Sequence, residues 1–202
     1  MKIKLPEKYL KIWKSAKPIL DKGRIGDTIH CQQTAELVFN YISENKKGDA
    51  DVLIPVAMMH DIGHAAISPQ HMRYVTGPEK LPGGKLVHML AGAKIADDIL
   101  KSIKYPASKR KEIVDIISMH DFDQLKGADT DKIYNTLNKK LFHDLDSLDR
   151  FSKKRFKFVM ELYRCGSQKA VELLLKETKF FLPEVKALAK QRLWTTKKQF
   201  SL

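Results

Sequence analysis

A chain of 202 residues, 43% apolar and 30% charged, is long enough to bury a sizeable core and too apolar to stay disordered. No apolar run approaches the roughly 18 residues needed to span a bilayer, and lysines break up the N-terminus where a secretory signal would be continuously apolar. These features point to the cytoplasm and to no membrane partner. The net charge of +13 is uneven: 13 Lys/Arg stand against 4 Glu from Lys153 onward, an excess of nine. That region suits nucleotides or nucleic acid, or is simply a solvated lysine-rich face. The two cysteines, Cys31 and Cys165, form neither a disulfide framework nor a zinc-thiolate site, and Cys31 reads as a buried structural thiol.

Helical spacing runs nearly throughout, and no alternating strand pattern competes with it. Asp27-Thr28 caps a helix that runs to about Asn45, with Ile29, Ala35, Leu37, Val38 and Ile42 near helical spacing; Lys46-Lys47-Gly48 ends it. A second helix restarts at Asp49 or Asp51, carries Pro55 in its first turn or so, and stops at Gly63. It is apolar nearly all round, which predicts burial. Residues 65–84, with Ser68-Pro69, Gly77-Pro78 and Pro82-Gly83-Gly84, form the clearest irregular stretch. Helices are expected over about 85–104 and 107–121, then after a cap at Gly127-Ala128-Asp129, and then over 141–154, 155–178 and 182–198. No internal repeat divides the chain. A single domain over 1–202 is expected, its weakest seam near 152 where the charge balance changes.

The chain has seven histidines, and His-Asp pairs occur at 60-61, 120-121 and 143-144. A dipeptide alone is a weak motif, but only His60-Asp61 ends a strongly apolar helix before a glycine. Burying an imidazole and a carboxylate there is costly unless something compensates, and a divalent cation does. A mixed His/Asp set suits iron, manganese or similar metals. Further ligands must come from other helices. His30 lies on the preceding helix, and Asp144, Asp146 and Asp149 compete in LFHDLDSLDRF. His88 precedes Gly92 by one turn, and His120 ends the apolar face of Ile116 and Ile117. Either histidine alone is more often a satisfied core residue. Two in chain order after a His-Asp pair are harder to dismiss.

The order His30, His60-Asp61, Asp146 resembles the H…HD…D pattern of the HD superfamily of metal-dependent phosphohydrolases, with its HDIG form intact at 60–63. The resemblance covers roughly residues 24–152 and leaves 153–202 as a basic helical extension. It implies an all-α, HD-domain-like bundle with additional C-terminal helices. DLDSLD is similar to the family's DADxLD, in which the second acid is the ligand; this selects Asp146. His88, in HxxxGA, and His120 fit subgroups with two metals bridged by the HD aspartate, here Asp61. The implied cofactor is one or two divalent ions: Fe or Mn, with Ni, Co, Mg and Zn as further options. The implied reaction is hydrolysis of a phosphoester or phosphoanhydride, of a nucleotide above all, by attack of metal-bound water. His64 stands where many relatives carry Lys, and is a candidate to supply a proton or positive charge beside Asp61. Arg24, Arg73 and Lys85 are substrate-contact candidates by neighbourhood alone, 65–84 a lid or pocket wall, and Asp121 an acceptor for His120. Two other readings stand beside this one. One is an HD-fold di-iron oxygenase. The other is a non-catalytic nucleotide or nucleic-acid sensor using the basic C-terminal region. Substrate and oligomeric state are not legible.

Overall fold

The structure is a computed structural model that describes residues 5–75, 81, 83–125 and 127–200. Among them it has eleven α-helices, three 3-10 turns and no strand. The helices are α1 (Glu7–Leu20), α2 (Asp27–Asn45), α3 (Ala50–Met59), α4 (Pro69–Val75), α5 (Gly84–Ser102), α6 (Ala107–Ile117), α7 (Thr130–Ile133), α8 (Leu137–Ser147), α9 (Lys153–Leu162), α10 (Ser167–Glu177) and α11 (Pro183–Phe200). No helix among these residues is long and apolar enough to cross a membrane. The chain divides into two compact units between Phe142 and His143. Helix α8 carries the division within it.

In the first unit α3 is the central rod. Every residue from Val52 to Met59 is buried, as its all-round apolar sequence requires. Helices α1, α2 and α6 pack against it. Asp49 caps it by accepting from the Asp51 N–H. Pro55 sits well inside α3, beyond its first turn, so the Asp51 carbonyl lacks its usual partner four residues on. The Tyr105 hydroxyl donates to that carbonyl at 2.8 Å instead.

Several boundaries and faces differ from the sequence expectation. Lysines break the apolar run at the N-terminus without preventing an amphipathic helix: Tyr9, Ile12, Trp13, Ala16 and Leu20 form the buried face of α1, which packs on α3 and α5. Helix α2 buries Cys31, Thr34, Ala35, Val38 and Tyr41, whereas Ile29 is 61% exposed. Its cap is Gly26, at φ 99°, rather than Asp27-Thr28. Helix α3 gives way after Met59 to a tighter 3-10 turn, Ile62–Ala66, that runs through Gly63. The stretch 65–84 contains α4, opened by Pro69 at its first position, and residues 76–80 and 82 lie outside the described chain. Helix α6 ends at Ile117, short of Asp121, and Asp129 caps α7 as expected.

In the second unit the single helix expected over 155–178 is two. Helix α9 ends near Tyr163, Arg164 adopts φ 46°, and α10 begins at Ser167. Ser152 caps α9. The buried Asp144 carboxylate accepts from the backbone N–H groups of Phe181 and Leu182, which fixes the entry to α11. Val185, Ala189 and Leu193 are the buried stripe of that helix.

Candidate metal centre

The C-terminal end of α3 delivers His60 and Asp61 into the interior, where they are 1% and 6% exposed. Because α3 ends there, the two side chains are released from the 100° divergence of a regular helix. The backbone of Asp61, at φ −92° and ψ 2°, leads directly into the 3-10 turn. That turn lies against α5, and its closest approach is backbone to backbone. A Cβ at Gly63 would overlap the His88 carbonyl oxygen and stand 2.5 Å from the Gly92 nitrogen. A Cβ at Gly92 would in turn meet Gly63 N at 3.2 Å. The paired glycines let α5 bring His88, which is fully buried, up to the His-Asp pair.

Three imidazoles, His60, His88 and His120, face the carboxylate, and His30 joins them through His60. His30 Nε2 lies 3.1 Å from His60 Nε2, and His88 Nε2 lies 3.3 Å from His120 Nε2. Asp61 stands between these pairs. Its Oδ2 is 3.7 Å from His60 Nε2, and its Oδ1 is 3.6 Å from His120 Nε2 and 3.9 Å from His88 Nε2. Two backbone carbonyls set the ring states. His60 Nδ1 bonds Ala57 O at 3.1 Å and His120 Nδ1 bonds Ile117 O at 2.8 Å. A carbonyl only accepts, so each Nδ1 carries a proton and each ring turns its Nε2 toward the centre. Tyr134 reinforces this position: its buried hydroxyl is within 3.0 Å of His120 O and 3.1 Å of Met119 O.

These residues fit a divalent cation. Two ligand bonds of about 2.1 Å meeting at roughly 90–110° span about 3.0–3.4 Å between nitrogens, the range in which both histidine pairs fall. Burial lowers the His88 pKa to about 2, with His120 and His64 adding to the effect, so the ring is neutral, as a ligand must be. Burial opposes the charge on Asp61, but His60, His120 and His64 outweigh it and hold the carboxyl well below the usual carboxylate range. One of its oxygens faces His60 and the other faces His88 and His120.

A third cluster adjoins this one. His64, 1% exposed, is stacked on His88 with ring centroids 4.4 Å apart, and its Nδ1 bonds Asp27 Oδ2 at 2.9 Å. Asp27 is also 1% exposed. Its other oxygen accepts from Arg24 Nε at 2.8 Å, and Arg24 Nη2 reaches Asp61 Oδ2 at 3.0 Å. Burial works against the guanidinium charge, and Asp61 and Asp27 more than restore it. Asp27 is the site residue that the sequence reading missed. An aspartate opening a helix reads as a cap, and only Gly26 in the left-handed conformation releases it from that task.

Of the other candidates, Lys85 reaches the edge of the centre. Its ammonium pairs with the Asp121 carboxylate, which lies 3.7 Å from His88 Nε2. Asp121 therefore does not orient His120; the Ile117 carbonyl does. Arg73 is not brought to the centre. It lies exposed on α4, over the Tyr74 ring at 4.7 Å. Cys31 is fully buried, with Sγ 3.8 Å from His60 Nδ1. In the second unit, Asp144 is committed to Phe181 and Leu182 and Asp149 is exposed, while Asp146 is half-buried near the end of α8.

Fold and centre together define an all-α protein with a buried histidine-aspartate cluster suited to a divalent metal. The HD domain family model matches residues 28–151, well over half the chain, and the chain belongs to that family. Comparison with curated proteins and with solved structures gave no match.

Proposed function

We propose that the protein is a metal-dependent phosphohydrolase acting in the cytoplasm on a phosphoester or phosphoanhydride bond, with a nucleotide as the preferred class of substrate. The observation that carries this reading is the Asp61 carboxylate, one oxygen toward His60 and the other toward His88 and His120. His30, His60 and Asp61, joined by Asp146 in line with the family pattern, would hold one ion; Asp61, His88 and His120 would hold a second. A divalent cation bound there lowers the pKa of a coordinated water toward neutrality and neutralises charge on the phosphoryl group. The remaining work falls to the chain's own groups. Arg24, anchored by Asp27, sets a fixed positive charge at the lip of the centre, suited to an equatorial phosphoryl oxygen. His64, held at Nδ1 by Asp27, has a buried Nε2 with no hydrogen-bond partner among the described residues, placed to pass a proton to the leaving oxygen. Lys85, paired with Asp121 beside His88, adds a second cation.

The test is metal analysis of the purified protein, followed by a phosphate-release screen across nucleotides with Mn, Fe, Co, Ni and Mg. Turnover with at least one metal is expected, and Asp61→Ala should abolish it. Normal turnover by Asp61→Ala, or metal-loaded protein that consumes oxygen and releases no phosphate, would contradict this function.

A further inference from the structure

We propose that the outward face of α11 binds single-stranded nucleic acid, with Trp194 as its base-stacking residue. The buried stripe of α11, Val185, Ala189, Leu193 and Thr196, occupies one side of the helix. Lys186, Lys190, Trp194 and Lys198 follow one another at four-residue intervals on another side, with Lys197 beside them. Each interval advances about 6 Å along the helix axis, comparable with the step between phosphates of an extended strand.

Three observations single out this face. From Val185 to Lys198 the helix carries five Lys/Arg and no acid. Some exposed lysines elsewhere are neutralised one turn away, as in Lys17–Asp21, Lys94–Asp98 and Lys101–Asp97, while others, such as Lys11, Lys14 and Lys22, are not. Lys186, Lys190 and Lys198 have no such ion pair among the described residues. Trp194 is 59% exposed although an indole gains much from burial, and the Lys197 ammonium lies 5.0 Å from its ring centroid. Cations spaced along an aromatic platform are what strand binding requires: lysines meet the phosphates while the ring takes a base. A base already stacked in a duplex offers no face to the indole, so the platform selects single strands. A membrane surface fits less well, because one indole among four ammonium groups leaves little apolar area to insert.

The protein contains two tryptophans, and Trp13 is buried, so a change in tryptophan emission on binding, checked against Trp194→Ala, reports on Trp194. The full chain is titrated with a dye-labelled 20-nucleotide oligothymidine, following tryptophan emission and dye anisotropy at several salt concentrations. Quenching of Trp194 is expected, with a slope of log affinity on log salt of about −2 to −3 for three or four neutralised phosphates. Trp194→Ala should weaken binding roughly tenfold. Lys186→Gln with Lys190→Gln should make the salt slope shallower by about 1 to 1.5. All three positions are exposed, so unaltered melting of the variants is expected. Unchanged emission at saturating oligonucleotide, wild-type affinity in Trp194→Ala, equal affinity for a duplex of the same length, or binding to phosphatidylserine vesicles but not to the oligonucleotide would each overturn the proposal.

Discussion

Gly63 owes its place to space. Its neighbours are the backbone atoms of His88 and Gly92, which cannot swing aside as a flexible side chain would. Gly63→Ala should therefore cost about 3 kcal/mol or more, read as a fall of roughly 6–12 °C in Tm, and should weaken metal binding by displacing His88. Asp27 has a different part: it touches His64 and Arg24 and no proposed metal ligand directly. Asp27→Asn is expected to keep the metal content of the wild type while kcat falls roughly 10- to 100-fold. Loss of metal along with activity would instead make Asp27 a ligand. His60, His88 and His120 were candidates from context, since each ends or interrupts an apolar stripe, whereas His30 and Asp146 took their place from the resemblance to the family pattern. Asp27 was not legible, since cap and buried partner look alike in a sequence. Nor was the acceptor of His120, because a backbone carbonyl leaves no residue signature.

At the scale of elements, α3 depends on partners from outside itself. Tyr105→Phe leaves the Asp51 carbonyl unanswered and should cost about 1–2 kcal/mol. In a Pro55→Ala background the restored N–H answers that carbonyl, and the same substitution should cost much less; equal costs in the two backgrounds would refute the pairing. The Asp51 side chain ties α1 to α3 by accepting from Lys8 and Tyr9, both at 2.7 Å. Those bonds hold the Asp51 carboxyl below its ordinary value, with partial burial pulling the other way. A carboxyl depressed in the folded state adds stability that is complete above its unfolded value, about 3.9, and is lost as pH falls through the folded value. Melting temperature should therefore decline below about pH 4, and the decline should be shallower in Asp51→Asn. Element type was readable from periodicity over most of the chain, but no helix was assigned at α1, α4 lies in a stretch read as irregular, and the ends were not fixed. The 3-10 turn at 62–66 and the break at 163–166 follow from packing and local backbone geometry, which a run of helix-compatible residues does not reveal.

For the whole molecule, composition separated a mildly charged N-terminal part from a strongly basic C-terminal one. The compact units meet between Phe142 and His143, ten residues before the charge changes. Charge marks what a surface meets, while the division follows from which apolar residues share a core, so the two need not coincide. Five of the six proposed ligands, His30, His60, Asp61, His88 and His120, come from the first unit, so metal should stabilise that unit directly. Removing metal with a chelator should lower the main melting transition by roughly 5–15 °C, the effect of a ligand present at 100- to 1,000-fold its Kd. An unchanged transition would separate the centre from metal binding.

The most direct test of a cation held by side chains from α2, α3, α5 and the end of α6 is anomalous diffraction at the manganese or iron edge from crystals of metal-loaded protein. The expected result is one or two peaks within ligand distance of the Asp61 carboxylate, lost in Asp61→Ala. Loaded crystals with no peak beside Asp61, or with their peaks at another cluster, would contradict it.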